Sequence, residues 1–274
     1  MDVMRIAAFS IGGTGGNPAG VAVCSALPTS EEMQRVAREI GYSETVFAAP
    51  IEDAWRVRYF APAMEIPFCG HATIALGAIL ARDLGDGVFT LRLNDGEIIV
   101  EGRADGSLAA ALRSPPTRST AALDNLVRAA LDLFALVPSD LDARLPPAII
   151  EAGARHLVLA LSQRERLAVM DYDLVAGADL MRAHGFATIA LVHAETTSRF
   201  HARNAFAAGG VFEDPATGAA AAALAGYLRD LGWPHGGQIE IMQGEDMGQR
   251  CRLIAEISPE AGSGIRVSGE TRLL

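Results

Sequence analysis

The chain has 274 residues, half of them hydrophobic, and a formal net charge of −10. That length suits one or two domains with ample core, and the acidic balance argues against nucleic acid, because phosphate neutralisation needs clustered Lys or Arg. All 23 basic residues are Arg, and the absence of Lys removes internal aldimines with pyridoxal phosphate, Schiff-base aldolases and the P-loop lysine. No uncharged apolar run approaches the ~20 residues of a membrane span, and the opening Met-Asp-Val-Met-Arg-Ile lacks a signal-peptide layout. A soluble cytoplasmic protein with no membrane or nucleic-acid partner is therefore expected. Cys24, Cys69 and Cys251 are odd in number and far apart, and the six histidines show no HxxxH or HxH spacing. Neither a disulfide framework nor a metal site is expected from them.

Residues 4–11 and 19–24 read as strands flanking Gly12-Gly-Thr-Gly-Gly-Asn-Pro18. The stretch after the glycines, Val21-Ala-Val-Cys24, is β-rich where a phosphate-cradling helix would begin, so a hairpin is expected rather than a dinucleotide loop. Thr29-x-x-Glu32 is a capping box, and Met33, Val36, Ala37 and Ile40 follow at helical spacing before Gly41. Strands are predicted over 43–49 and 55–61, a helix over 70–84, and strands near 88–93, 97–102 and 107–112. Ser114-Pro-Pro-Thr117 is the best linker candidate. Beyond it a helix is predicted near 119–136, then strands near 155–161, 187–193 and 197–203, with a helix near 173–184. A helix over 218–231 and strands near 238–243, 250–257 and 264–268 close the chain.

Two of these helices are copies. Gly70-His-Ala-Thr-Ile-Ala-Leu-Gly-Ala-Ile-Leu80 and Gly218-Ala-Ala-Ala-Ala-Ala-Leu-Ala-Gly-Tyr-Leu228 share Gly, Ala, Ala, Leu and Leu at matching positions. They end alike, in Arg82-Asp-Leu-Gly85 and Arg229-Asp-Leu-Gly232. Upstream, Gly41-Tyr-Ser-Glu-Thr-Val-Phe47 and Gly185-Phe-Ala-Thr-Ile-Ala-Leu191 also correspond. The expected fold is α+β, two similar domains of one duplicated unit, each a curled sheet around a central helix. The first would span 1–117 and the second 118–263, with the strand at 264–274 able to return to the first. The seam between two such units is a natural place for a small-molecule site.

Each copied helix opens on a glycine, so first-turn N–H groups and the positive dipole end can hold a carboxylate or a developing oxyanion. Gly70, Ala72, Thr217, Gly218 and Ala219 are candidate substrate contacts on that ground, with Pro215 fixing the approach and Thr217 able to cap. His71 falls in the first turn, where the dipole favours a neutral imidazole. Glu44 corresponds to Thr188 in the second unit, so the architecture does not demand a carboxylate there. Facing the core side it would suit general-base work; a solvent-facing strand position is the bland alternative. Asp214 supplies another carboxylate, which could equally be an ordinary acidic N-cap. Glu44, His71 and Asp214 hold acids, bases and oxyanion donors but no activated nucleophile, since Ser30, Ser43 and Ser114 lack a G-x-S-x-G setting. Such groups suit cofactor-independent proton transfer next to a carboxylate.

Across these residues the chain resembles the phenazine-biosynthesis PhzF-like family, which shares the diaminopimelate epimerase fold. The likeness rests on Gly41-Tyr-Ser-Glu-Thr-Val-Phe47, on Arg58-Tyr-Phe-Ala-Pro62 with Glu65-Ile-Pro-Phe-Cys-Gly-His-Ala-Thr73, and on Glu213-Asp-Pro-Ala-Thr-Gly218. Asn17-Pro18 and Val267-Ser-Gly269 fit as well. The resemblance implies a homodimeric biosynthetic isomerase whose site lies in a cleft between its domains and acts on a small cyclic or amino-acid-like carboxylate. Glu44 falls at the family's catalytic glutamate, His71 and Asp214 at its substrate-contacting histidine and aspartate, and Gly70 and Gly218 at its carboxylate-binding helix starts. Asn17 and Ser43 are expected to line the pocket. Ala219 stands where the family usually has serine, and Ala61 where threonine is common, so the phenazine substrate itself does not follow. Cys69 takes the place of one thiol of the related two-cysteine epimerases, but residues 213–220 hold no second cysteine. It reads as a small buried residue. The alternatives are a non-catalytic binding or protein-interaction relative, favoured by Ala219, and an amino-acid racemase or epimerase.

Overall fold

A computed structural model describes all residues from Met1 to Leu274. The chain divides into two compact units, Met1–Arg113 with Ser268–Leu274, and Ser114–Val267. The first unit contains β1 (Met4–Ser10), β2 (Asn17–Val23), α1 (Ser30–Ile40), β3 (Thr45–Ile51), β4 (Ala54–Phe60), β5 (Glu65–Ile66), α2 (Gly70–Leu84), β6 (Gly87–Arg92), β7 (Glu97–Arg103) and β8 (Ala109–Arg113). The second contains β9 (Arg118–Ala121), α3 (Asp124–Leu133), β10 (Ala148–Glu151), β11 (Arg155–Ala160), α4 (Arg164–Ala168), α5 (Leu174–His184), β12 (Thr188–Ala194), β13 (Arg199–Ala205), β14 (Glu213–Asp214), α6 (Gly218–Asp230), β15 (Gln238–Gln243) and β16 (Cys251–Glu256). The last strand, β17 (Arg266–Leu273), pairs antiparallel with β1 from Ile6↔Leu273 to Ser10↔Glu270.

A helix that is apolar on every face must be enclosed on every face. Every residue of α2 from His71 to Ala81 is buried, and the helix touches β1, β2, β3, β6, β7 and β8. Glycines permit that approach: a Cβ on Gly102 would lie 2.1 Å from the Gly77 carbonyl oxygen, and one on Gly77 would lie 2.5 Å from Val100. In the second unit, α6 is buried from Ala220 to Leu228 against β9, β10, β11 and β16. The outer faces carry amphipathic helices. Met33, Val36 and Ala37 of α1 pack on Ala22, Phe47 and Phe60, while α3 and α5 cover β11 and β12 through Leu126, Leu131, Met181, Leu157 and Ile189.

The pairing of strands repeats unit by unit. β2 and β3 are parallel, as are β11 and β12; β4 and β6 are parallel, as are β13 and β15. Thr45 and Glu65 both pair with Phe60 in the first unit, and Ile189 and Glu213 both pair with Ala205 in the second. Counting outward from these anchors, Glu44 corresponds to Thr188, Arg58 to Arg203, Glu65 to Glu213, Cys69 to Thr217 and His71 to Ala219. The fold is α+β, a duplicated unit in which a curled sheet encloses a central helix.

Local chemistry accounts for most boundaries. Thr29 accepts a hydrogen bond from the Glu32 amide, and Gly41 ends α1 in the left-handed region at φ 73°. The Gly12–Gly16 stretch is the expected hairpin, closed by an Ile11↔Thr14 bridge. Three expectations need correction. The predicted helix near 119–136 is strand β9 followed by the shorter α3, because residues 118–121 find an antiparallel partner in β10. The closing strand runs from Arg266 to Leu273, beyond the 264–268 read from its pattern and within the 264–274 expected to return to the first unit, because its far end pairs with β1. Glu44 precedes β3 instead of lying within a strand: its carbonyl still accepts from the Gly20 amide, but regular pairing starts at Thr45.

One buried polar chain in the second unit has a pH signature. His156 is 1% exposed, with Nδ1 2.8 Å from Thr188 Oγ1, which in turn donates to Asn204 Oδ1 at 3.1 Å. Thr188 gives its only proton to Asn204, so His156 Nδ1 is the donor to Thr188, while Nε2 is buried without a partner. Burial holds this imidazole down to about 4. The unfolded chain therefore takes up a proton below about 6.5 that the folded chain refuses until about 4. Stability is expected to fall by about 3 kcal/mol as pH drops through that window. Urea unfolding across it should show this slope in the wild type and its loss in His156→Gln.

Candidate active site

In the first unit the residues that could do chemistry meet at the start of α2. Cys69 is its N-cap, yet its side chain makes no capping bond to the first-turn amides. Its carbonyl accepts from Thr73 N at 3.0 Å and from Thr73 Oγ1 at 2.7 Å. The Tyr59 hydroxyl lies 2.7 Å from that Oγ1, and since Thr73 gives its proton to Cys69, Tyr59 is the donor. Burial pushes the Tyr59 phenol far up, so it stays protonated and keeps this role. The helix start is thus anchored from behind, and its first amides are left to whatever stands in front.

His71 projects from the first turn and is 6% exposed. Its Nε2 stands 3.3 Å from Glu44 Oε2, while Nδ1 stands 3.3 Å from Cys69 Sγ. The Glu44–His71 approach lacks hydrogen-bond alignment, so both Oε2 and Nε2 are buried polar atoms without a hydrogen-bond partner. Such atoms are costly to hide and cluster where a ligand or reaction uses them. Donor atoms of Glu44, Cys69 and His71 lie within 4.8 Å of one another. The thiol and the carboxylate meet different ring nitrogens, however, so the imidazole bridges them instead of joining both as ligands of one ion. Asn17 is buried at the start of β2, Ser43 is exposed in the turn beside Glu44, and Gly70 and Ala72 form the first turn of α2.

The second unit builds a different constellation at the start of α6. Asp214 ends the two-residue β14, and its Oδ2 accepts from Thr217 Oγ1 at 2.6 Å. Thr217 was expected to be able to cap; it makes no side-chain cap, because its hydroxyl is given to Asp214. Gln243, 1% exposed at the end of β15, locks the turn. Its Nε2 donates to the Asp214 carbonyl at 2.7 Å and to Thr217 Oγ1 at 3.1 Å, and its Oε1 accepts from Thr217 N at 3.2 Å. Gln243 was missed from sequence; a glutamine ending a strand 26 residues further on carries no local signal. Gly218 and Ala219 open α6, and Ala219 brings no polar atom where His71 stands in the first unit.

A matching arginine–glutamate pair ties down the short strand before each helix. Arg58 Nε and Nη2 donate to Glu65 at 2.7 and 2.6 Å; Arg203 Nε and Nη2 donate to Glu213 at 3.0 and 2.5 Å. The Arg58 guanidinium holds the Glu65 carboxyl below its usual range. The second pair is almost fully buried, and Arg203 Nη1 also donates to the Ala168 carbonyl at 2.8 Å. Removing one partner of a buried pair strands the other charge. Glu213→Ala is therefore expected to cost about 3–5 kcal/mol, and Glu65→Ala less, because its pair keeps 19% and 27% of its side-chain surfaces exposed to screening water; denaturant titration of both variants measures the difference.

The fold is a duplicated α+β unit, and its sequence relatives give the class, isomerases and epimerases. The family model for phenazine biosynthesis-like proteins (PhzC-PhzF) matches residues 6–273. An uncharacterized isomerase of Deinococcus radiodurans is 33% identical over 235 residues, 83% of this chain and 76% of its own. The trans-2,3-dihydro-3-hydroxyanthranilate isomerase of Pseudomonas aeruginosa is 33% identical over 273 residues, 93% of this chain and 90% of its own. Among solved structures, the phenazine biosynthesis protein of the PhzF family from Bacillus anthracis matches with TM-score 0.86 at 22% identity, covering 99% of this chain and 96% of that one. That last likeness concerns the fold alone. The chain belongs to the phenazine biosynthesis-like family, and it is an isomerase or epimerase of that family's type. No helix is long and apolar enough to cross a membrane.

Proposed function

We propose that the protein is a cofactor-independent isomerase that moves a proton on a small cyclic or amino-acid-like carboxylate, with Glu44 as the base that takes and returns it. The observation that carries this reading is the pair of buried, partnerless atoms Glu44 Oε2 and His71 Nε2, 3.3 Å apart at a helix start that no side chain caps. The substrate carboxylate is held by the first-turn amides of α2, at Gly70-His71-Ala72, and the start of α6 at Gly218-Ala219 offers amides of the same kind in the second unit. Glu44 removes a proton from the carbon beside it. The electron pair of the broken C–H bond passes into the carboxylate, whose added negative charge the amides and helix dipole stabilise. Glu44, now protonated, delivers the proton to another carbon of the same substrate as the double bond moves. His71, with Nε2 3.3 Å from Glu44 Oε2, orients the reacting carboxylate, and Asn17 and Ser43 line the pocket. The name of the Pseudomonas aeruginosa relative, an isomerase of an anthranilate-type carboxylate, supports a substrate of this class.

In the second unit the motif Glu213-Asp-Pro-Ala-Thr-Gly218 marks Asp214 as the candidate acid, with Thr217 and Gln243 keeping its carboxylate in place. Incubation with candidate cyclic carboxylates in deuterated water should place label on a carbon other than the one deprotonated; label with inversion at the original carbon would mean an epimerase instead. Glu44→Gln should lower turnover by about 10²–10⁴ with an unchanged melting point. Turnover unaffected by that change removes Glu44 from its role, and turnover unaffected by Asp214→Asn removes Asp214. A cytoplasmic homodimer is part of the same proposal, and sedimentation equilibrium reads the oligomeric state.

A further inference from the structure

We propose that Cys69 is a positioning residue whose thiol decides which nitrogen of His71 carries the proton. The inference deepens the isomerase reading and takes its functional weight from it, though the contact stands without it. Cys69 occupies an N-cap, where a side chain ordinarily accepts from the first-turn amides; it makes no such bond, and its sulfur lies 3.3 Å from His71 Nδ1. The main chain at this point is pinned by Thr73 and, through it, by Tyr59, which fixes the backbone from which the thiol projects.

A neutral imidazole has one N–H and one lone pair, and a thiol is a weak donor. When S–H donates into Nδ1, the ring proton must sit on Nε2, the nitrogen that faces Glu44 Oε2 at 3.3 Å. An ionised carboxylate accepts and cannot donate, so this tautomer alone turns a donor toward Glu44. The second unit repeats the arrangement with other residues. Thr217, the counterpart of Cys69, also withholds its side chain from capping and gives it to Asp214 at 2.6 Å. In each unit the N-cap side chain serves the acid or base beside the helix.

The test is long-range ¹H–¹⁵N correlation on the full-length protein labelled with ¹⁵N-histidine, the His71 signals being identified by their loss in His71→Gln. His71 in the wild type should show a protonated Nε2 and an unprotonated Nδ1. Cys69→Ala should convert this to a mixture of tautomers, and Cys69→Ser should keep the wild-type pattern. A wild-type His71 protonated on Nδ1, or a tautomer unchanged in Cys69→Ala, overturns the proposal. In turnover, Cys69→Ala should lower kcat by roughly tenfold, the loss of one hydrogen bond, with KM unmoved, an altered pH profile and recovery in Cys69→Ser. If the wild type shows the expected tautomer yet turns over no carboxylate, the isomerase reading fails and the assignment of Cys69 stands.

Discussion

The rest of the molecule depends on enclosing an apolar helix within a curled sheet. Such a helix satisfies its own backbone everywhere except at its ends, so burying it concentrates the remaining polarity at the first turn. In α2 that turn carries Gly70 and His71, and the side chain at its N-cap leaves the amides alone. The approach of sheet to helix leaves no room for a Cβ at Gly77 or Gly102. A helix held that closely cannot shift without unpacking its surroundings, which makes its terminus a rigid platform for reacting groups.

Duplication supplied two such platforms, and the two have diverged where chemistry would be expected to divide labour. The arginine–glutamate pairs that fix the short strands are retained in both units, Arg58–Glu65 and Arg203–Glu213. Beside them, Glu44 is matched by Thr188 and His71 by Ala219, so the first unit holds the carboxylate–imidazole pair. The second unit has instead the Asp214–Thr217–Gln243 network, which joins one turn to one strand end. At the place of Glu44 it has a buried neutral chain, His156–Thr188–Asn204. Retained features brace the scaffold, whereas the features that differ are the titratable and hydrogen-bonding groups beside the helix starts.

Cys69 shows how far a single contact can change the meaning of a residue. Its type and spacing speak against a two-thiol mechanism, since no second cysteine stands at the other helix start. Read alone, it is a small buried side chain. Its contact with His71 Nδ1 makes it the third member of a thiol–imidazole–carboxylate line.

Features set by neighbours in the chain were legible before any coordinates. The Thr29 cap, the Gly41 terminus, the bounds of the helix at 70–84 and the repeat of that helix at 218 all follow from spacing at 3.6 residues and from glycine's access to left-handed backbone. The α+β duplication followed from the repeat, and the motifs singled out Glu44, His71 and Asp214 as candidates. Features that need a partner distant in sequence were not legible. The segment at 118–121 is a strand because β10 pairs with it, Thr217 faces Asp214 because Gln243 holds both, and Glu44 meets His71 from 27 positions away in the chain. Sequence periodicity carries which face of an element is apolar; which polar atoms end up sharing a buried space depends on how those faces close, and only packing settles that.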